Sequence, residues 1–448
     1  MHARTLAKAG VLLAALAVTA PPANAAAPGW STPHTVTPYR YGTYAVAPGP
    51  KGVQIFGNGA VQTMIPQLRA IKTDATEGTA VSVNAGAAGF AGWELSVNDD
   101  GRFVAAWMLD TQGTGPIGLA ATLGSRTSLP RSATVLPTDG QDVSGVATAI
   151  DDDGNAVVAW FQQPRTPGPT TFKAATLRPG QPPQVVTVAT RANADFDSLS
   201  VGLDAQARPT ITWTVLPLPE GPDLIAVART NAAGAFSTFE QQLAPGDFGL
   251  VQTSVTENGT VLAISTEQAS ANSPMTVKTA EAAPGATFGA ARTLVSGVPG
   301  GGPIVADANA AGRAAVFFGI PVSGGMSLRV LLRTTSGNWG SIRPLGPSGR
   351  NVAGINIGVD ASGRAVALWA DGPSGSNNAT RILAARSSSA SNPLSSYNQV
   401  SQRSGDRRCD EPTLFLSTSG DGLGLWNCFT TSTGGSDSPR LARLTRPS

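Results

Sequence analysis

A four-residue turn pattern recurs along this chain at an almost constant spacing. Each copy begins with Asp, Asn, Ser or Thr, has Gly (once Ala) in the fourth position, and is followed six residues later by an aromatic residue (once Ser). The fourth positions are Gly101, Gly154, Ala207, Gly259, Gly312, Gly363 and Gly420, at intervals of 53, 53, 52, 53, 51 and 57 residues. This regularity predicts a repeat architecture with one structural unit per 52 residues or so.

The residue types in the pattern are those of a type I turn between two strands. Asp, Asn, Ser or Thr in the first position can accept a hydrogen bond from the backbone two residues on, and Gly in the fourth position tolerates the positive φ that ends the turn. The sequence Asp-Asp-Asp-Gly at 151–154 could also suggest a calcium loop, but it lacks the alternating ligands and distal Glu of an EF-hand. We therefore interpret it as one more copy of the turn.

The strand after each turn is apolar at successive positions, as in residues 103–107 and 365–369. Such a strand must be covered on both faces. A third strand and a fourth segment follow in most units, so each unit has four strands. Four-stranded sheets stacked face to face around a ring satisfy these demands, and the sequence predicts an all-β protein with a β-propeller fold.

The number of blades follows from the length and the two ends of the chain. Residues 30–448 number 419, which corresponds to eight units of about 52 residues, with seven as the alternative if the weak first unit is something else. Residues 29–33 resemble 338–342, which open a fourth strand, and the chain stops after a third-strand pattern at 440–445. We therefore expect the N-terminal strand to complete the last blade and close the ring.

The first 25 residues have the pattern of a secretory signal peptide. Arg4 and Lys8 precede a short apolar run, and Ala23-Asn24-Ala25 fits a signal-peptidase site. We expect residues 26–448 to form a single secreted propeller domain with no membrane insertion, because no other apolar run approaches the length of a membrane span. Cys409 and Cys428 are the only cysteines, and in an oxidising compartment they predict a disulfide.

Charge and residue inventory exclude several classes of function. Without Arg4 and Lys8 the chain has 29 basic and 29 acidic residues, so it has no general basic surface for nucleic acid. His34 is the only His after the signal segment, which excludes a two-His metal site. No P-loop, dinucleotide or HExxH motif is present. No catalytic residue is therefore assigned, and whether the chain is an enzyme stays open.

The repeats and turns resemble those of secreted bacterial β-propeller repeat proteins, a broad group that includes lectins, sialidase-like hydrolases, lyases and interaction scaffolds. The Asp-box of sialidase-type propellers has its Trp three residues after Gly, whereas here the interval is six, as from Gly154 to Trp160. The resemblance therefore implies the architecture and leaves the function open.

A second recurrent feature lies twelve residues before the turn glycines, where the first strand of each blade should begin. Asp142, Asp195 and Asp247 occupy this position, and Asn351 does so in a later unit. Arg407, Arg408 and Asp410 lie at the corresponding place near the C-terminus. Two interpretations stand: a ring of carboxylates that binds Ca²⁺ or sugar hydroxyls, or Asp residues that each cap their own loop. No other cofactor is implied.

The aromatic series has two interpretations as well. Trp107, Trp160, Trp213, Trp369 and Trp426 could stack on sugar rings or pack between blades, and their position at the end of an apolar strand favours packing. We thus expect a non-catalytic binding propeller for a glycan or protein ligand. The alternative is a sialidase-like glycan hydrolase or lyase that uses carboxylates and Arg at the channel mouth.

Overall fold

The structure is a computed structural model that contains no helix in the residues it describes. These are residues 29–31, 33–35, 42–47, 51–58, 65–72, 74–85, 91–110, 117–166, 168–192, 194–217, 221–231, 234–243, 247–269, 273–298, 303–334, 336–373, 381–387, 394, 397–401, 407–430 and 438–445. In this part of the chain no helix is long and apolar enough to cross a membrane. The predicted signal peptide, residues 1–25, lies outside the described residues.

The described residues contain thirty-one antiparallel strands, and six of the sheets they form have four strands each. Five of these sheets follow chain order: β2 (Gly42–Ala47), β3 (Lys51–Asn58), β4 (Ile65–Ile71) and β5 (Val81–Ser82); β6 (Ala91–Val97), β7 (Arg102–Leu109), β8 (Gly118–Ser125) and β9 (Thr134–Leu136); β10 (Asp142–Ile150), β11 (Ala156–Gln163), β12 (Thr170–Leu177) and β13 (Gln184–Arg191); β14 (Ala194–Leu203), β15 (Pro209–Pro217), β16 (Leu224–Thr230) and β17 (Phe236–Gln241); β18 (Asp247–Val255), β19 (Val261–Gln268), β20 (Met275–Ala282) and β21 (Arg292–Val298). The sixth joins both ends of the chain in the order β1 (His34–Thr35), β31 (Ser438–Leu444), β30 (Gly422–Thr430) and β29 (Arg407–Leu416).

The remaining strands form one sheet of seven: β22 (Ile304–Ala308), β23 (Ala314–Val322), β24 (Gly325–Arg333), β25 (Arg343–Val359), β26 (Ala365–Gly372), β27 (Arg381–Arg386) and β28 (Tyr397–Gln399). The prediction of eight separate four-stranded blades, or of seven, is therefore wrong. The cause is the 17-residue strand β25, whose first part pairs with β24 and whose second part, from Asn351 to Val359, pairs with β26. One continuous strand thus joins two units that the repeat pattern treats as separate.

The sheets are arranged as a β-propeller. The first strands β2, β6, β10, β14, β18, β22, the second half of β25, and β29 are neighbours in that order, and β29 contacts β2. Apolar side chains fill the space between adjacent sheets; every residue of β26 is buried, as are seven of the eight in β11. The Trp series is buried between the sheets, and the prediction that it packs in the core is confirmed. Phe318 and Ser265 at the same position are buried as well.

The expected closure by a complete N-terminal strand needs correction. Strand β1 has only two residues, His34 and Thr35, which pair with Leu441 and Arg440 at the outer edge of the last sheet. Face packing joins the first sheet to the last: Tyr44 and Val46 of β2 lie in one buried cluster with Leu423 and Leu441. Side-chain packing between the first and last sheets closes the ring. The short strand β1 only adds backbone pairing at the outer edge of the last sheet.

The turns have the expected backbone but a different side-chain bond. The fourth residue has a positive φ in all seven copies, between 77° and 85° for Gly and 56° for Ala207. The first-position side chain accepts from the backbone N–H four residues on: Asn98 from Arg102 (2.9 Å) and Asp360 from Arg364 (2.9 Å) are examples. The predicted bond two residues on occurs at Asp204, whose Oδ1 accepts from the N–H of Gln206 (2.9 Å).

Cys409 and Cys428 form the predicted disulfide. The two residues lie directly opposite each other in the β29–β30 pair, and both are buried. The bond therefore fixes the first two strands of the last sheet.

Candidate functional site

The ring has two different ends. We call the end that carries the turns between first and second strands the turn face; it includes residues 98–101, 151–154, 204–207 and 360–363. We call the opposite end, where the first strands begin and the second strands end, the strand-start mouth. Register pairs that define this mouth are Asp142 with Gln163, Asp195 with Leu216, and Asn351 with Gly372.

Hydrogen bonds connect neighbouring turns on the turn face. The side chain of Asn98 donates to the carbonyl of Asp151 (2.8 Å), and that of Asn309 donates to the carbonyl of Asp360 (2.6 Å). Elsewhere the bond is between backbones, as from the N–H of Ala361 to the carbonyl of Thr418 (2.8 Å). Each bond links the turns of two neighbouring units. The residues that dominate the sequence pattern therefore hold the ring together.

The structure places the predicted site residues at the start of first strands, as expected. Asp142 and Asp247 open β10 and β18, Asp195 is the second residue of β14, and Asn351 opens the half of β25 that pairs with β26. Arg407, Arg408 and Asp410 lie in β29. The side chains of Asp247, Arg407, Arg408 and Asp410 lie outside the described residues, so their ligand-binding role stays a prediction.

The carboxylate of Asp142 has a structural partner. Its Oδ1 accepts from the backbone N–H of Ile117 (2.7 Å), and the backbone N–H of Val143 donates to the Ile117 carbonyl (3.0 Å). Arg165 approaches the other carboxylate oxygen at 3.3 Å. These bonds tie β10 to the segment before β8 in the neighbouring sheet, so the structural interpretation accounts for Asp142.

Asp195 differs from Asp142, because its side chain is exposed and has no hydrogen-bond partner among the described residues. Nearby Asp197 accepts from the backbone N–H of Ser198 (2.7 Å). The carboxylate of Asp195 is therefore available to a ligand at the mouth.

The strongest charged constellation at the mouth centres on Asp371, near the end of β26, whose carboxylate is only 1% exposed. Arg350 donates through Nε to Oδ1 (3.2 Å) and through Nη2 to Oδ2 (3.0 Å). Arg381 donates through Nε to Oδ2 (2.7 Å). A buried carboxylate needs such partners, since an unpaired charge in the interior is costly.

The candidate site residues named from the sequence did not include Arg350, Asp371 or Arg381. The available signal is that Asp371 departs from the repeat. Eight residues after the turn glycine the other units have Leu109, Gln162, Val215, Glu267, Ile320 and Cys428. A buried Asp at this position is therefore not something the blade itself requires.

Two further carboxylates lie on first strands. The Glu94 side chain in β6 is exposed to solvent, but the protein around it partly desolvates the carboxylate, and this raises its pKa to about 7. Burial raises the pKa of Asp307 in β22 to about 6, against the opposing effect of a hydrogen bond from the backbone N–H of Val359 (2.7 Å). Asp307 thereby joins two neighbouring first strands, whereas Glu94 has no ion-pair partner in the described part of the chain.

A cavity of about 480 Å³ is lined by residues of the first strands β18, β22 and β25 and of the neighbouring strands β19 and β20. Its lining is mostly apolar, with two polar side chains: Val251, Thr266, Met275, Ile304, Asn356 and Ile357. The cavity shows that the inner wall is uneven on this side of the ring.

The calcium prediction is untested. No group of three or more His, Cys, Asp or Glu side chains suited to a metal lies within the described residues. Two of the predicted carboxylates, Asp247 and Asp410, have side chains outside them.

No protein-family model matches this chain, and no curated protein matches it. Among solved structures it is similar to prolyl oligopeptidase B from Galerina marginata (10% identity, TM-score 0.50, covering 88% of this chain and 56% of that one). It is also similar to puromycin hydrolase (15%, TM-score 0.44, 88% and 62%) and to the polysaccharide lyase ulvan lyase (11%, TM-score 0.42, 69% and 78%). The chain spans less than two thirds of the two hydrolases.

At these identities the likeness to the Galerina marginata enzyme concerns the fold alone. It agrees with the β-propeller arrangement of the sheets. What this chain binds or does has to be argued from its own residues.

Proposed function

We propose that this protein is a secreted, non-catalytic binding propeller that holds a carbohydrate or another protein at the strand-start mouth. One observation carries the proposal: within the described residues, the mouth presents the exposed carboxylate of Asp195, which has no hydrogen-bond partner there, and the partly exposed guanidiniums of Arg350 and Arg381. On the opposite face, hydrogen bonds link the turns of neighbouring units. Polar groups with unused hydrogen-bonding capacity can bind a ligand and fix its orientation.

The proposed location outside the cell rests on the sequence and on redox chemistry. The pattern of residues 1–25 is that of a secretory signal, and the Cys409–Cys428 disulfide suits an oxidising compartment. Both features support secretion.

A glycan array probed with the purified, disulfide-bonded protein tests this function, with and without Ca²⁺. The variant D195A removes an available carboxylate from the mouth, and D152A is the matched control because Asp152 is an exposed carboxylate on the turn face. We expect glycan binding that D195A weakens and D152A leaves unchanged. Equal loss in both variants would contradict binding at the mouth, and a silent array would leave only a protein ligand.

Glu94 favours a second candidate function, the cleavage of a glycan at the channel by hydrolysis or by elimination. A carboxyl group with a pKa of about 7 on a first strand can donate or accept a proton near neutral pH, as a general acid or base must. Incubation with the array-selected glycan, followed by mass spectrometry of the products, tests this function. Cleavage by the native protein and none by E94Q would support it, and intact glycan would exclude it for that substrate.

A further inference from the structure

Arg350, Asp371 and Arg381 form a charged cluster with more positive charge than the buried carboxylate requires. One guanidinium would neutralise Asp371, and the second leaves the cluster with one net positive charge. Replacing such a cluster by apolar residues is often neutral or stabilising, so it is weak evidence for a role in stability alone. Three of the other six units have Leu, Val or Ile at the position of Asp371, so the fold does not require a carboxylate there.

The two guanidiniums have donors to spare. Each is about one quarter exposed, 27% for Arg350 and 26% for Arg381, and each directs its Nε and one Nη toward Asp371. An Arg side chain has five N–H donors in a planar fork. Neither guanidinium has another partner in the part of the chain that the structure describes. Donors of both side chains are therefore available at the mouth.

The backbone holds this cluster in place before any ligand arrives. Arg350 lies inside the continuous strand β25 and pairs with Met326 of β24. Gly325, with a φ of 146°, packs so closely against Arg350 that a Cβ at position 325 would collide with the Arg350 backbone. Asp371 pairs in register with Val352 and Arg381, which fixes the three side chains on adjacent strands. A preorganised pair of guanidiniums loses little entropy when it binds an anion.

We infer that Arg350 and Arg381, oriented by Asp371, bind the carboxylate of an acidic sugar, a uronate, at the strand-start mouth. A carboxylate matches the guanidinium fork in shape and charge. Asn351 lies next to Arg350 in the chain and can bind the hydroxyls of the same sugar. An acidic peptide carries the same carboxylate groups, and competition with hexaglutamate distinguishes it from a uronate.

This inference rests on the proposed function and names the ligand class for its mouth. Isothermal titration of the full secreted chain with trigalacturonate tests it, with the fully methyl-esterified trisaccharide as the uncharged match. We expect trigalacturonate to bind, the methyl ester to bind at least tenfold more weakly, and NaCl to weaken the charged interaction. R350A and R381A should each lower the affinity about 10- to 100-fold, as the loss of charge-assisted hydrogen bonds predicts.

Three controls separate the site from the fold. R131A removes an exposed Arg that has no place in the cluster and should leave the affinity unchanged. R381K keeps the positive charge but lacks the planar guanidinium, so it should lose affinity, and it tests the site even if R381A fails to fold. D371N keeps both guanidiniums but removes the carboxylate that orients them, so it should lose affinity too. Circular dichroism and thermal unfolding check that each variant is folded.

Several outcomes would overturn the inference. Equal binding of the acid and its ester, equal affinity of R350A and the native chain, or absence of trigalacturonate and glucuronate-oligomer binding would each do so. Hexaglutamate that competes as well as trigalacturonate would assign the cluster to an acidic peptide instead. If neutral glycans bind on the array while both uronates fail, the ligand class is wrong and the proposed function stands.

Discussion

The fourth residue of each turn shows at the residue scale how closely sequence and backbone agree. Six copies have Gly there with a φ near 80°, and the seventh has Ala207 at 56°. A left-handed conformation costs a residue with a Cβ about 1–2 kcal/mol in the folded state, and Gly avoids this cost. Gly also gives the unfolded chain more conformational entropy, which offsets about half of the stabilisation.

We therefore predict that A207G raises the free energy of unfolding by about 0.5–1 kcal/mol. A205G, in the same exposed turn but at a residue without positive φ, should lower it. Urea unfolding of both variants measures the difference. Equal destabilisation by the two substitutions would show that the backbone strain at Ala207 is absent.

Asp360 tests the structural role of the first turn position. Its buried carboxylate accepts from the backbone N–H of Arg364 (2.9 Å) and from the Arg364 Nε (2.9 Å). We predict that D360A lowers the free energy of unfolding by about 1–3 kcal/mol, because it leaves buried donors unsatisfied. D152A removes an exposed side chain from an equivalent turn and should change stability by less than about 0.5 kcal/mol. If D360A leaves the free energy of unfolding unchanged, the Asp360 side chain does not stabilise the fold.

Residue-scale features were predictable where they depend on a repeated pattern or on a single possible pairing. The turn glycines, the buried Trp series and the disulfide all follow from local chemistry that the sequence states directly. The cluster of Asp371 with Arg350 and Arg381 did not follow, because its members come from three strands and only the register of β25, β26 and β27 brings them together. A polar side chain that departs from a repeat is the sequence signal for such a site.

At the element scale, β25 is where sequence patterns mislead. Residues 343–350 contain two Pro and two Gly, which normally indicate a loop, yet they belong to a 17-residue strand. Gly346 and Gly349 have positive φ, so the strand is irregular at these points while it still pairs with β24 and then β26. Long-range pairing decided the structure of this segment, and the blade count failed for that reason.

The disulfide provides the prediction for the last sheet. Cys409 and Cys428 enclose a short loop, and in the chain-entropy model such a crosslink stabilises the fold by about 3 kcal/mol. We predict that dithiothreitol lowers the denaturation midpoint of the native protein, whereas it has no effect on the double variant C409A/C428A. A native protein that keeps its midpoint when fully reduced would contradict this.

At the scale of the whole molecule, the carboxylates on the first strands couple stability to pH. The pKa of Glu94 is about 7 in the folded state and about 4.5 in the unfolded chain, so between these values the folded state binds the proton more tightly. The stability that Glu94 contributes to the folded state is therefore fully present below about pH 4.5 and is lost as the pH rises to about 7.

We predict that the thermal midpoint of the native protein falls relative to E94Q across this pH window and runs parallel to it above pH 7. Asp307 contributes with the same sign over a lower window, up to about pH 6, and it is present in both proteins, so it cancels in the comparison. Parallel midpoints over the whole range would show that Glu94 has an ordinary pKa.

For the whole ring we propose that ligands bind at the strand-start mouth and that the turn face has a structural role. Hydrogen–deuterium exchange with and without the array-selected glycan tests this most directly. We predict slower exchange in the ligand complex at residues 142–144, 195–198 and 350–352, with no change at the turns 98–101, 151–154 and 360–363. Slower exchange at the turns, with none at the mouth, would contradict the claim.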